Sequence, residues 1–375
     1  MIPFNKPYLT GKEAHYMYQA VMSGKLSGNG IFTNKCQELI RERYNFSKVL
    51  LTTSCTDALE MAAILINIEP GDEVIIPSYT FVSTANPFIL RGAKIVFADS
   101  SSDSPNLDVD LIEGLITDKT KAIVPVHYAG MACDMERLME IAKKYNLFVI
   151  EDAAQAIDSY CNGKPLGSFG HLSAFSFHET KNIIAGEGGM LVINDERFAE
   201  RAEIIWEKGT NRSSFFRGEV DKYGWVDIGS SFLPSEITAA FLYAQMENLE
   251  QIQARRIKLW NLYFEQLNDL QEIGQLKLPV VPEYGTNNAH MFYLVCKDDT
   301  EKTELIKHLK SNQIHAVFHY ISLHTSPYYQ EKHDGRVLKL SDYYTERLVR
   351  LPLFYELTEE QVGYITNSIK EFYRR

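Results

Sequence analysis

Short apolar runs alternate with helical patterns between residues 48 and 195. Seven runs, most of them rich in Val and Ile, are continuously apolar: 48–52 (KVLLT), 73–77 (EVIIP), 94–99 (KIVFAD), 121–128 (KAIVPVHY), 147–154 (LFVIEDAA), 173–178 (SAFSFH) and 189–195 (GMLVIND). Continuous runs are typical of strands buried on both faces. Residues 55–67 and 133–146 carry apolar residues at three- and four-residue spacing, which predicts helices between the strands. We therefore predict an α/β fold, with a mostly parallel sheet covered by helices.

The pattern changes after about residue 232. Residues 234–267 form one long helical stretch, and new short apolar runs and helical segments follow up to the C-terminus. We predict a large domain over residues 1–247 and a smaller C-terminal α/β domain over residues 248–375, hinged on the long helical stretch.

Charge and cysteine usage exclude several classes of protein. The chain has 375 residues, a net charge of −11 and no run of Lys or Arg, which argues against a nucleic-acid partner. No run of eighteen apolar residues and no signal-peptide pattern occurs, so we expect a cytoplasmic protein that does not enter a membrane. The cysteines are scattered without a CxxC pair, which predicts reduced thiols, no zinc site and no disulfide framework; they are Cys36, Cys55, Cys133, Cys161 and Cys296.

Polar side chains follow the predicted strands, where ligands of α/β sheets bind. Ser54, Cys55 and Thr56 begin a predicted helix, and the free amides and hydroxyls of a helix start suit a phosphate group. Asp152 ends a very apolar strand, where a buried carboxylate needs a cation or several donors. Lys181 stands in a similar setting, and burial there favours its neutral, nucleophilic form.

The segment around Lys181 contains incomplete versions of two known motifs. In HETKN, Asn182 replaces the second histidine of the HExxH zinc-protease motif, which excludes that metal site. GEGG lacks the glycine spacing of dinucleotide and phosphate-binding loops, and it precedes a strand where those loops need a helix.

A phosphate anchor, a buried carboxylate and a nucleophilic amine are together what pyridoxal 5′-phosphate requires of a protein. Phe81 could stack on its ring and Gln155 could donate to its ring oxygen. Simpler structural roles stay open at this point. Ser54, Thr56 and Asp152 could cap helices, and Phe81 could be an ordinary core residue.

The motifs EDAAQA (151–156), SFHETKNIIAGEGG (176–189), PSYTFVSTAN (77–86) and PGDEVI (70–75) strongly resemble the DegT/DnrJ/EryC1/StrS family of sugar-nucleotide aminotransferases. The resemblance covers nearly the whole chain. It implies the type I fold of pyridoxal phosphate-dependent aminotransferases, with a large and a small α/β domain, and a homodimer whose active sites are shared across the interface. A regulator that kept the pocket without turnover is the alternative from another class.

The resemblance also implies roles for individual residues. Lys181 would bond to the cofactor as its Schiff-base lysine and move the proton during transamination. Asp152 would hold the pyridine nitrogen. Ser231 stands where many members carry an asparagine that reaches the phosphate of the neighbouring subunit. The full set of predicted cofactor contacts is Ser54, Cys55, Thr56, Phe81, Asp152, Gln155, Ser176, Lys181 and Ser231.

The substrate expectations rest on the same resemblance. It is strongest to members that transfer the amine of L-glutamate to dTDP-4-dehydro-6-deoxy-D-glucose, giving dTDP-4-amino-4,6-dideoxy-D-galactose and 2-oxoglutarate. Such a product serves cell-surface polysaccharides such as enterobacterial common antigen or O-antigen. Amination at C3 of a dTDP-3-keto-6-deoxyhexose is the alternative within the family. The residues expected to contact substrate are His127, Tyr128, His178, Arg212, His319 and Tyr320.

Overall fold

A computed structural model describes residues 1–374. Its strands are β1 (Lys48–Thr52), β2 (Glu73–Pro77), β3 (Lys94–Ala98), β4 (Thr120–Ile123), β5 (Phe148–Asp152), β6 (Tyr160–Cys161), β7 (Lys164–Pro165), β8 (Leu172–Ser176), β9 (Gly189–Ile193), β10 (Phe292–Val295) and β11 (Leu348–Leu351). Its α-helices are α1 (Glu13–Met22), α2 (Ile31–Tyr44), α3 (Cys55–Leu65), α4 (Asn86–Ile89), α5 (Met135–Tyr145), α6 (Ala199–Trp206), α7 (Arg212–Phe216), α8 (Glu236–Met246), α9 (Leu249–Glu272), α10 (Asp299–Ser311), α11 (Lys339–Arg347) and α12 (Glu359–Tyr373).

The seven predicted apolar runs form one seven-stranded sheet in the order β1-β9-β8-β5-β4-β2-β3. Neighbouring strands from β8 to β3 are parallel, and β9 is antiparallel to both of its neighbours. The carboxyl ends of β1, β8, β5, β4, β2 and β3 therefore lie at one edge. The predicted mixed, mostly parallel sheet is confirmed.

Two predicted elements differ from the structure. The strand predicted over residues 121–128 ends at Ile123, because Pro125 has no N–H to continue the ladder. The long helical stretch is two helices, α8 and α9, separated at Glu247 and Asn248. The Asn248 amide donates to the Ala244 carbonyl at 2.9 Å and so closes the end of α8.

Helices cover both faces of the sheet, and each face has its own apolar core. Side chains of α2, α5 and α8 pack with one face, and side chains of α3, α4 and α6 pack with the other. A third core joins α9, α10 and α12 to the two-stranded sheet of β10 and β11. The break between α8 and α9 lies at the predicted domain boundary of 247/248, which stays a prediction. The last third of the chain also contacts the large sheet, because Leu323, Tyr329 and Leu338 belong to the α3 core.

The start of α2 is held by a carboxylate from a distant helix. Glu236 is buried, and its carboxylate accepts from the amides of Gly30, Phe32 and Thr33 at 2.9, 2.7 and 3.1 Å. A Cβ on Gly30 would lie 2.5 Å from the Glu236 carboxyl carbon, so a side chain at this position would displace the carboxylate from the start of α2. These amides have no acceptor within α2, and the negative charge also suits the positive end of the helix.

We expect Glu236→Ala to lower the free energy of unfolding by about 2–3 kcal/mol, because buried amides lose a charged acceptor. Urea denaturation followed by circular dichroism measures this loss. Glu38→Ala, at an exposed position of α2, is the matched control and should change stability by less than about 0.5 kcal/mol. Equal losses in the two variants would contradict the interpretation.

Candidate active site

A cavity of about 610 Å³ opens at the edge where the parallel strands end. Its wall brings together most of the residues predicted from the sequence: Ser54, Cys55, Thr56, Phe81, Asp152, Gln155, Ser176, His178, Lys181, His319 and Tyr320. The strand ends supply most of this set, and the segment of residues 316–323 supplies the last two.

One side of the cavity is the beginning of α3, directly after β1. The Ser54 hydroxyl caps the helix by accepting from the Asp57 amide at 3.0 Å, and the Thr56 hydroxyl donates to that of Ser83 at 2.9 Å. A Cβ on Gly189 would lie 2.3–2.5 Å from the backbone of Ser54 and Cys55, so strand β9 can approach the helix start only through a glycine. The capping role and an anion-binding role are compatible, because the first-turn amides remain available.

Asp152 ends β5 and is 6% exposed. Its carboxylate accepts from the Thr84 hydroxyl at 2.7 Å and from the Ala154 amide at 3.2 Å. Burial raises the pKa of Asp152, while these two hydrogen bonds and the charge of Lys181 oppose the rise. The carboxylate thus lines the cavity with lone pairs left for a cationic partner.

Lys181 lies in a tight loop between β8 and β9. The loop closes through backbone hydrogen bonds from Phe177 to Gly188 at 2.8 Å and from Ala185 to Phe177 at 2.7 Å. Within residues 1–374, the Lys181 amine has no carboxylate close enough for an ion pair. Burial lowers the pKa of Lys181 and nearby Arg350 lowers it further, whereas Cys55 and Asp152 oppose this. The lowered pKa increases the neutral fraction, which is the nucleophilic form of an amine.

Gln155 and Phe81 complete the wall predicted for a cofactor ring. The Gln155 carbonyl accepts from the Ala129 amide at 2.6 Å, and its amide donates to the Tyr320 hydroxyl at 3.2 Å. Phe81 is 56% exposed although it is large and apolar, and its ring centroid lies 6.2 Å from that of Tyr320. An exposed aromatic face at a cavity wall is available for stacking.

Four predicted residues do not line this cavity among the described residues. His127 is fully buried, its Nε2 lying 3.0 Å from Glu151 and its Nδ1 accepting from the Cys133 amide, which is a structural arrangement. Tyr128 is buried behind His319, with 2.6 Å between its hydroxyl and the His319 Nδ1. Arg212 and Ser231 are exposed elsewhere on the surface. Their predicted contacts to substrate or phosphate stay predictions.

Asn182 and His290 were not predicted as site residues. The Asn182 amide donates to Gln253 at 2.7 Å and to the Asn288 carbonyl at 2.8 Å, so its oxygen faces the Nδ1 of His290 at 2.9 Å. This network places the His290 proton on Nδ1. Burial lowers the pKa of His290 well below its usual value, and the ring in the cavity wall is neutral.

Arg350 was also missed, because it is 169 residues from Lys181 and sits within an ordinary strand pattern. It lies on β11 and lines the cavity beside Phe4, whose ring centroid is 4.7 Å from the guanidinium carbon. Its Nε is buried and has no hydrogen-bond partner among the described residues.

The residues present fit pyridoxal 5′-phosphate in chemistry and placement. The α3 start offers amides and hydroxyls for the phosphate, and Asp152 is a buried carboxylate with capacity for a protonated ring nitrogen. Lys181 supplies an amine without an ion-pair partner, and Phe81 supplies an exposed ring. No cluster of three or more metal-ligating side chains occurs within residues 1–374.

Comparison with known proteins agrees with this site. The sequence model described as the DegT/DnrJ/EryC1/StrS aminotransferase family matches residues 7–370. The chain belongs to this family. It is 35% identical to GDP-perosamine synthase of Escherichia coli O157:H7, over 99% of this chain and 98% of that one. It is 31% identical to the spore coat polysaccharide biosynthesis protein SpsC of Bacillus subtilis, over 99% and 96% of the two chains.

Solved structures share the fold of this aminotransferase. DesV of S. venezuelae, solved in complex with a ketimine intermediate, superposes with a TM-score of 0.91 at 27% identity, covering 100% of this chain and 99% of that one. The putative sugar aminotransferase Spr1654 of Streptococcus pneumoniae, in its PLP form, superposes with a TM-score of 0.90 at 25% identity, covering 100% and 98%. The predicted family, fold, aminotransferase activity and pyridoxal phosphate cofactor are confirmed.

We expect Asp152→Asn to lower the pKa of Lys181 further, because the Asp152 charge is one of the groups that raises it. The measurement is the rate of amine modification at Lys181 against pH in cofactor-free protein, followed by peptide mass spectrometry. The wild-type midpoint should lie below 10.5, and the variant midpoint should lie lower still. Asp103→Asn, at an exposed position, is the control. An upward shift in Asp152→Asn would contradict the interpretation.

Proposed function

We propose that this aminotransferase transfers the amine of L-glutamate to C4 of dTDP-4-dehydro-6-deoxy-D-glucose, giving dTDP-4-amino-4,6-dideoxy-D-galactose and 2-oxoglutarate. The aminotransferase part of this proposal rests on one observation: Lys181, Asp152 and the start of α3 line the same cavity. The specific sugar is supported by the motif resemblance over PSYTFVSTAN and NAHMFY. A polysaccharide role is supported by SpsC, whose name refers to spore coat polysaccharide.

The side chains have distinct tasks in this reaction. When bound, the cofactor supplies an aldehyde for the amine and an electron-withdrawing ring. In each half of the reaction Lys181 would act as base and acid, taking a proton from one carbon and returning it to another: from the amino-donor carbon in the first half, and to the sugar C4 in the second. A lowered amine pKa favours this role. Asp152 holds a proton on the ring nitrogen by charge pairing, Gln155 orients the ring oxygen, and Phe81 packs on the ring face. Ser54, Cys55, Thr56 and Ser176 hold the phosphate.

The direct test incubates the purified protein with L-glutamate and dTDP-4-dehydro-6-deoxy-D-glucose and determines the product by NMR. We expect an amine at C4 with the galacto configuration. Lys181→Ala should lose covalent attachment of the cofactor after borohydride reduction, measured by mass spectrometry, and should lower kcat by at least about 1000-fold. An exposed lysine variant away from the cavity, Lys119→Ala, is the matched control and should retain both.

Testing several keto sugars also distinguishes the proposed reaction from its alternatives. A GDP-linked 4-keto-6-deoxyhexose should be included, because the chain is 35% identical to a GDP-perosamine synthase. A preference for that compound, or amination at C3, would overturn the specific substrate proposed here. Cofactor binding without amination of any keto sugar would favour the regulator alternative.

We further propose that the protein acts in the cytoplasm as a homodimer with shared active sites. Large apolar side chains near Arg212 and Ser231 lie open on the surface: Phe216 is 69% exposed and Trp225 is 85% exposed. Exposed apolar clusters of this kind are typical of protein interfaces. Arg212 and Ser231 lie outside the chain's own cavity, so a partner's cavity is where they could act. In residues 1–374, no helix has the length and apolar character needed to cross a membrane.

We expect two inactive variants to restore activity when mixed. Lys181→Ala and the double variant Arg212→Ala/Ser231→Ala should each be impaired alone. Random reassortment after mild denaturation gives hybrid dimers with one intact site, so the mixture should regain about a quarter of the wild-type rate. Light scattering checks the dimer mass. A mixture that is no more active than the average of its components would contradict site sharing.

A further inference from the structure

Tyr128 determines which nitrogen of the His319 ring carries the proton. The buried Tyr128 hydroxyl lies 2.6 Å from the His319 Nδ1, which is its only hydrogen-bond partner among residues 1–374. Burial raises the pKa of Tyr128 well above its usual value, so the phenol keeps its proton. Burial also lowers the pKa of His319 well below its usual value, so the ring is neutral. The phenol therefore donates to Nδ1, and the ring proton lies on Nε2.

Asn182 fixes the opposite arrangement in the His290 ring. The Asn182 amide donates to the Gln253 side chain at 2.7 Å and to the Asn288 carbonyl at 2.8 Å. A carbonyl cannot donate in return, so the amide cannot be turned over and its oxygen faces the His290 Nδ1 at 2.9 Å. Because the His290 ring is neutral as well, its proton lies on Nδ1 and its Nε2 is an acceptor.

The Nε2 atoms of both histidines reach open space. Neither has a hydrogen-bond partner among residues 1–374, and neither is one of the side-chain atoms that are buried there without a partner. Each therefore has accessible surface, and both residues line the cavity. The charge of Lys181 lowers the pKa of both rings, so both lie near the reacting amine. The wall beside Lys181 thus offers one donor, on His319, and one acceptor, on His290.

A donor and an acceptor side by side distinguish between the groups that a substrate can offer. Carboxylate and phosphate oxygens only accept, so they cannot pair with the unprotonated Nε2 of His290. A hydroxyl both donates and accepts, and so it can satisfy both rings. In a 4-keto hexose, the C3 hydroxyl is attached next to the reacting carbon and enters the cavity with it.

We infer that the two histidines bind the hydroxyl next to the carbonyl of the keto sugar, His319 as donor and His290 as acceptor. Tyr128 and Asn182 are the positioning residues that set these two roles. The inference rests on the proposed aminotransferase function, but it does not depend on which ring carbon is aminated. L-Glutamate has no hydroxyl, so the pair should matter chiefly in the second half of the reaction.

Nitrogen NMR of the cofactor-loaded protein, labelled in its ten histidines, tests the two proton positions. The signals of the two rings are assigned from those lost in His319→Gln and His290→Gln. We expect a protonated Nε2 in His319 and a protonated Nδ1 in His290. Tyr128→Phe should give a mixture of both forms at His319, because the donor to Nδ1 is gone. Tyr328→Phe, at an exposed position outside the cavity wall, is the matched control and should change neither ring.

The two half-reactions, followed by the absorbance of the bound cofactor, test the ligand. Tyr128→Phe should lower kcat/KM for dTDP-4-dehydro-6-deoxy-D-glucose by about fivefold or more and that for L-glutamate by less than about twofold. With the 3-deoxy analogue of the sugar nucleotide, which lacks the hydroxyl, Tyr128→Phe should lose less than about twofold. Tyr328→Phe should match wild type with all three substrates.

A binding measurement separates this inference from the proposed function. Lys181→Ala does not turn over, so calorimetric titration of this variant with the two sugar nucleotides measures the preference for the hydroxyl directly. Adding Tyr128→Phe should reduce that preference by about fivefold. Amination at C3, or a GDP-linked substrate, would overturn the proposed substrate and leave the inference standing, and the deoxy analogue of the preferred sugar then takes its place in the test.

Three results would overturn the inference: a proton on Nδ1 of His319 in wild type, equal losses of Tyr128→Phe in both half-reactions, or an equal loss with the deoxy analogue. The wild-type spectrum decides the proton positions even where a variant does not fold. Thermal unfolding and cofactor absorbance show whether each variant is folded and loaded.

Discussion

The parallel direction of the strands in the large sheet is the constraint on which the rest of this structure depends. Six of the seven strands end at the same edge, so the residues that follow them in the sequence meet in space. Ser54 follows β1, Asp152 ends β5 and Ser176 ends β8, and all three line one cavity. The antiparallel strand β9 adds a second condition, because only Gly189 lets its start pass the backbone of Ser54 and Cys55.

Asp152 and Lys181 line the same low-dielectric cavity, but they do not neutralise each other's charge. Asp152 is held by Thr84 and the Ala154 amide, and Lys181 is held by its own loop, so no direct ion pair forms between them. Burial therefore shifts both groups toward their neutral forms, raising the pKa of Asp152 and lowering that of Lys181. A direct pair would favour both charged forms and would leave the amine unreactive.

The last third of the chain supplies the opposite wall. His290, His319 and Arg350 reach the cavity from this part of the chain, and Asn182 connects the Lys181 loop to it through Asn288 and Gln253. The histidines are neutral because burial and the nearby cations lower their pKa values. Arg350 then remains as the cation that this part of the chain presents to the cavity, and a change in the packing of β10 and β11 would move it.

The sequence by itself determined the strands, the family and most residues of the wall contributed by the large sheet. Continuous apolar runs mark buried strands, and polar residues at their ends mark the ligand-binding edge, so Lys181, Asp152 and Gln155 could be found from local pattern and motif. Only the tertiary structure decided that Asn182, His290 and Arg350 belong to the same site, and that His127 is buried beneath it. The first three assignments depend on contacts between residues more than one hundred positions apart, such as Asn182 with Asn288, for which local periodicity carries no signal. The burial of His127 depends on its contact with Glu151 on the neighbouring strand β5. The break of the long helical stretch at Asn248 could not be predicted from the sequence either. The Asn248 side chain donates to the Ala244 carbonyl at the end of α8, and the apolar pattern does not change there.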